Sequence, residues 1–164
     1  MSSTLSRRLI IAGAVLVLGA VNWSIFAKER IKTSGERIFL ALAPVDPRSL
    51  MQGDYMALRF AIVNGMSATE SGSAPLLVDT NGVATLNPDW NADGLRVRFR
   101  VRNGQIWLGT NAYFFEEGTA ERYDGARYGE FRIDRESGEA VLVGLADENL
   151  KKMGSDPVSA NDLR

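Results

Sequence analysis

The sequence predicts an all-β domain, an antiparallel sandwich or small barrel built from hairpins, preceded by one N-terminal transmembrane helix. Three observations lead there. No residue from Leu9 to Ala27 is charged. After residue 27 no long stretch keeps a helical period, and apolar residues instead recur in short alternating runs. Those runs are separated by turn signals, two of them Asn-Gly pairs.

The elements follow in order. Residues 1–8 are a short leader. Residues 9–27 rise about 1.5 Å each and span roughly 28 Å, close to a bilayer's hydrocarbon core. Trp23 sits near one end like an interfacial aromatic. Arg7 and Arg8 flank one side and Lys28, Arg30 and Lys32 the other, so charge bias alone does not fix orientation. The short leader favours an inside N-terminus. A cleaved signal peptide is the rival reading, but cleavage after Ala27 would put Ile25 where a small residue is needed. Residues 28–37 read as a charged linker, 38–153 as the β-rich domain and 154–164 as a flexible tail.

Within the domain, "RIFLALAPV" and "DYMALRFAIV" read as strands, the second with Met56, Leu58 and Phe60 on its core face. "LLVDTNGVATL" and "LRVRFRVRNGQIW" read as hairpins turning on Asn-Gly with positive φ, and "RYGEFRIDRESGEAVLVGL" as a third. "DENLKKM" reads as a helical turn capped by Asp147.

Composition bounds the function. The chain has 164 residues, 45% apolar and 24% charged, with a formal net charge of −1, so bulk charge offers nothing to nucleic acid. It has no histidine and no cysteine, which removes the commonest general base, the commonest soft-metal ligands and every Cys or His mechanism. A Ser-Lys dyad finds no lysine between Leu50 and Leu150. No catalytic residue, cofactor or metal is assigned.

Two clusters stand out. In "LRVRFRVR" the core face takes Leu95, Val97, Phe99 and Val101, leaving Arg96, Arg98, Arg100 and Arg102 together on the other. A two-residue Asn103-Gly104 loop sets Arg102 opposite Gln105 and Arg100 opposite an exposed Trp107, where a guanidinium can stack. Such a face suits an anionic surface, whether lipid headgroup, glycan or acidic partner. The plainer reading pairs those arginines across the sheet with carboxylates such as Glu116 or Glu130. The second cluster is "YFFEEGTAERYDGARYGEF", where Glu117 and Glu121 are candidates for glycosidase-like acid and base; its plainer reading is a solvated acidic turn.

"SLMQGDYMALRF" carries a further signal. Gly53 before a strand suits a backbone that side chains resist, Asp54 can accept amide hydrogen bonds from the preceding turn, and Tyr55 starts the strand. With Leu58 and Phe60 these residues resemble the motif of the GDYXXLXY domain family, Phe60 standing where the motif ends in Tyr. The "YFFEEG", "ARYGEFRID" and "GEAVLVGL" blocks are similar to that family's later segments, so the resemblance covers roughly residues 36–152. It implies a bacterial protein with an N-terminal membrane segment, often encoded beside polytopic membrane proteins, and it supplies no catalytic residues.

The preferred expectation is therefore a non-enzymatic accessory domain on the periplasmic face of the inner membrane, docking to a polytopic membrane protein or an envelope component. The alternative is a glycan or small-ligand module using the Arg/Trp face. A carboxylate hydrolase is third.

Overall fold

The computed structural model describes residues 3–43, 51–52 and 55–154. It opens with one helix, α1 (Ser3–Ser34), long and apolar enough to cross a membrane, and its most apolar stretch is left bare by the rest of the protein. The strands that follow are β1 (Glu36–Ala41), β2 (Met51–Gln52), β3 (Tyr55–Ala57), β4 (Gly72–Val78), β5 (Val83–Leu86), β6 (Arg96–Arg102), β7 (Gln105–Trp107), β8 (Ala112–Phe114), β9 (Tyr128–Ile133) and β10 (Ala140–Ala146). Short 3₁₀ turns cover Ala61–Gly65 and Ala120–Tyr123.

The charged segment expected as a linker is helical through Ser34 and then enters β1 at Glu36, with Gly35 alone between them. Glu29, Arg30 and Lys32 are good helix formers, and buried Ile31 pins this last part of the helix to the sheet. The Gly35 amide closes onto the Ile31 carbonyl at 2.8 Å. A Cβ at Gly35 would lie 2.5 Å from that oxygen and 3.1 Å from Ile133 backbone, so the joint requires glycine. Arg132 donates to the Gly35 carbonyl at 3.2 Å, and Arg135 pairs with Glu36. These contacts leave the exit of the helix little freedom.

An all-β domain does follow the helix, shaped as a curled sheet, a half-barrel. Seven strands run in the order β10-β9-β1-β5-β4-β6-β7, and β2-β3-β8 form a second, three-stranded sheet. Pairing is antiparallel except between β1 and β5, where Phe39 and Leu40 lie beside Val83 and Ala84 in parallel. The long excursion from β1 to β5 makes that parallel pair possible, and adjacent hairpins cannot produce one. Pro75 explains how β4 serves two neighbours. Residues before it pair with β6 and residues after it with β5, so the proline falls at the changeover, where its missing N–H is not needed. A bulge between Leu142 and Gly144 in β10 adds to the curl. The curl brings the β9–β10 turn back against β6: the Arg98 amide donates to the Gly138 carbonyl at 2.7 Å.

The core lies on the concave face. Ile38, Leu40, Val97, Leu108, Phe131, Ile133 and Leu145 are fully buried there, and Met56, Leu58 and Phe60 from the β3 segment join the same cluster. Phe60 meets Phe131 edge to face, 5.2 Å between ring centres. The expected alternation of Met56, Leu58 and Phe60 inward holds, but the strand is shorter than expected. It stops at Ala57, keeps one bridge from Phe60 to Leu42, and turns into the 3₁₀ segment at Ala61. Strand β4 begins at Gly72, inside what reads as a loop.

Two turns also differ from expectation. Only Gly82 of the Asn81-Gly82 pair has positive φ. The turn is organised by Asp79, whose carboxylate accepts from the Asn81 and Val83 amides, both at 2.8 Å. At the other end, Asp147 caps no helix. Its carboxylate accepts from the Asn149 and Lys151 amides at 2.9 Å, repeating the Asp79 turn. The Asn103-Gly104 hairpin matches its expected form, with φ of 51° and 73°.

Candidate functional site

Strand β6 presents its arginines outward because Val97 and Phe99 must face the core, and a period of two then leaves Arg98, Arg100 and Arg102 on the opposite face, about 7 Å apart. The register is Arg100 opposite Trp107 and Arg102 opposite Gln105, as the two-residue turn dictates. All three arginines are exposed. The Arg102 guanidinium lies 5.9 Å from the centre of the Trp107 ring, a diagonal approach. Trp107 is half-buried where the sequence suggests exposure, and its indole N–H is buried without a hydrogen-bond partner. The curl causes this by folding the segment after β7 under the start of β10: a Cβ at Gly109 would stand 2.8 Å from the Ala140 carbonyl.

Arg96 belongs elsewhere. It is half-buried, donating to the Ser73 hydroxyl at 3.2 Å, the Ser73 carbonyl at 3.1 Å and the Trp90 carbonyl at 3.1 Å. It ties the loop before β6 to β4 and is no part of an exposed stripe.

The other three arginines line a groove of about 210 Å³ with Trp107, Gly109, Thr110, Glu139, Ala140 and Lys28 of α1. Lys28 forms an ion pair with Glu139. The carboxylate pairing expected for the stripe is absent: Glu116 sits in a turn after β8, and Glu130 is buried on β9 opposite Phe39. Among the described residues, Arg98 and Arg100 make no ion pair. Once Lys28 has taken Glu139, no described carboxylate balances Arg98, Arg100 or Arg102 in the groove. Arg98 and Arg100 also border a second recess with Ser71, Gly72 and Ser73.

Asp134 orders the β9–β10 turn, which carries Glu139 of the groove. Its carboxylate accepts from the Ser137 amide and hydroxyl, each at 2.8 Å, and these contacts, with Arg30 at longer range, hold it below the usual carboxylate range. Lys28 and Glu139 are the members that sequence reasoning missed. Lys28 reads only as a flanking charge, and nothing in the chain's local pattern joins position 28 to position 139.

The remaining candidates lie apart. Glu117 and Glu121 are both exposed, on the turn after β8 and in the first turn of Ala120–Tyr123, and neither lines the groove. No three Asp or Glu side chains converge among the described residues. Tyr55 of the motif packs its ring against Phe114 at 5.7 Å between centres, and Leu58 and Phe60 are core residues. Gly53 and Asp54 lie outside the described residues, and so does the clasp expected of them.

A single apolar helix running directly into a curled β domain, with the Tyr55–Phe60 segment built into its core, defines the class of protein. The chain belongs to the GDYXXLXY protein family, whose model matches residues 17–145, from the second half of the apolar helix to β10. Comparison with curated proteins and with solved structures returns no match.

Proposed function

We propose that the protein is a single-pass membrane protein of the bacterial inner membrane whose β domain, on the periplasmic side, acts as a non-enzymatic accessory domain for a membrane-embedded partner. One observation carries this reading: the apolar helix passes into the sheet through Gly35 alone, with Lys28, Arg132 and Arg135 bonded across the joint. A domain tied so closely to its helix has no reach into the solvent and works at the membrane surface. The apolar stretch of α1 is bare along its length and offers a second surface within the bilayer.

The test is affinity capture of the full-length protein from native membranes in mild detergent, with mass spectrometry of what co-elutes. A stoichiometric polytopic protein that survives a high-salt wash supports the accessory role. A protein that elutes alone under the same conditions ends it. A ligand-binding role for the Arg/Trp face is favoured by a different observation, the arginine charge of the groove, and leads to the next inference.

A further inference from the structure

We propose that the groove between Arg98, Arg100, Arg102, Trp107 and Lys28 holds the phosphate-bearing headgroup of an anionic phospholipid. The inference rests on the reading of α1 as a membrane-spanning helix and assigns a ligand to the face beside it.

Charge comes first. Three guanidiniums stand in a row at strand spacing, and the one carboxylate in the lining is already engaged by Lys28. Guanidinium forks match phosphate oxygens in geometry, and such bonds strengthen where water is partly excluded. Trp107 provides that exclusion as a half-buried wall, with the Arg102 guanidinium over its ring. The Thr110 hydroxyl donates to the Ala112 carbonyl at 2.9 Å and so contributes shape more than a free donor.

Position then selects the source of the phosphate. Lys28 immediately follows Ala27, the last residue of the uncharged run. A groove walled by Lys28 therefore lies at the depth where hydrocarbon gives way to glycerophosphate. At that depth lipid phosphate is the abundant anion, and juxtamembrane basic residues are drawn to it.

Arg98 anchors the β9–β10 turn through its backbone amide, so its side chain is not needed for that contact. Glutamine at positions 98 and 100 thus removes charge without removing that bond. In full-length protein carrying Trp23→Phe and Trp90→Phe, Trp107 is the sole indole. This protein, in neutral maltoside micelles, is titrated with dioctanoyl-phosphatidylglycerol, with dioctanoyl-phosphatidylcholine and inorganic phosphate as parallel arms. The expected result is a saturable change in Trp107 emission with phosphatidylglycerol only. Arg98→Gln with Arg100→Gln raises the half-saturation concentration at least about tenfold, the scale of losing charge-assisted bonds, while Arg127→Gln leaves it unchanged.

No saturation with phosphatidylglycerol, an equal response to phosphatidylcholine, or indifference to the double substitution overturns the proposal. An equal response to inorganic phosphate overturns the lipid assignment. If the double variant keeps its lipid response but loses a salt-resistant membrane protein, the groove belongs to that protein instead. Alkaline extraction of membranes separates this test from the reading beneath it. Release of the chain at high pH removes the spanning helix, whereas failure to saturate in a chain that stays with the membrane removes the headgroup site alone.

Discussion

The backbone amide of Arg98 donates to the carbonyl of Gly138, and this 2.7 Å bond ties the turn of one hairpin to the middle of another strand far from it in sequence. Gly138 has φ of +69°, and a Cβ there would stand 2.8 Å from the Arg96 carbonyl oxygen. Both the backbone conformation and the close approach exclude a side chain. Gly138→Ala is expected to destabilise the domain by about 2 kcal/mol, the sum of left-handed strain and local overpacking. Thermal unfolding of the full-length protein in detergent measures it; an unchanged midpoint refutes the role given to this contact.

At the other joint, Gly35 admits no side chain, because a Cβ would meet the Ile31 carbonyl oxygen at 2.5 Å. Its φ is not in the left-handed region, so the whole effect of Gly35→Ala comes from contact. The expected cost is about 1–3 kcal/mol, the range for overpacking a close approach. The helix end is also expected to loosen. Hydrogen exchange at the Ile31–Ile38 amides should quicken relative to β6 amides, and uniform exchange rates across both segments would contradict this.

Leu150 adopts φ of +61° in a turn built like that around Asp79, where Gly82 adopts +85°. The corresponding bonds repeat: the Leu150 amide donates to the Asp147 carbonyl at 3.1 Å and the Gly82 amide to the Asp79 carbonyl at 3.0 Å. A leucine in this conformation is strained. Comparing Leu150→Gly with Leu150→Ala removes the side chain in both cases and isolates the backbone term. The glycine variant is expected to be the more stable by about 1 kcal/mol. Equal denaturation midpoints would show that the turn carries no such strain.

Burial, helped by the neighbouring Tyr123 hydroxyl, pushes the Tyr113 phenol up to about 12 from an ordinary value of 10.0. The two rings meet at 5.3 Å between centres. A phenol that resists ionisation in the folded state keeps its proton while the unfolded chain loses it. Its contribution to stability is therefore complete below about pH 10 and is lost as pH rises from there to about 12. Tyr113→Phe is expected to flatten this alkaline loss between about pH 10 and about 12. Parallel declines of both proteins over that interval would disprove the assignment.

Local pattern carried the local features. Alternation put Met56, Leu58 and Phe60 inward, and the Asn103-Gly104 turn fixed the pairing of Arg100 with Trp107, because side-chain period and turn geometry act over a few residues. The Asp79 and Asp147 turns depart from local pattern for the same reason in reverse: a single carboxylate accepting two amides overrides the Asn-Gly and helix-cap signals beside it. The parallel β1–β5 pair and the meeting of Lys28 with Glu139 were illegible, since both follow from how the whole sheet closes. Arg96 looked equivalent to its three neighbours on the strand, and only the position of Ser73 and Trp90 sets it apart.

The single-residue passage from α1 to β1 makes azimuth a property of the sequence. Each residue of an α-helix turns about 100°. The compass direction of the arginine row is thus geared to the face that the apolar helix turns toward its surroundings. Adding one alanine between Ala27 and Lys28 would rotate one against the other by more than a quarter circle while raising the domain by only about 1.5 Å. Helix and sheet behave as a key with its bit: their relative angle is set by counting residues, and a partner reading both surfaces reads that count.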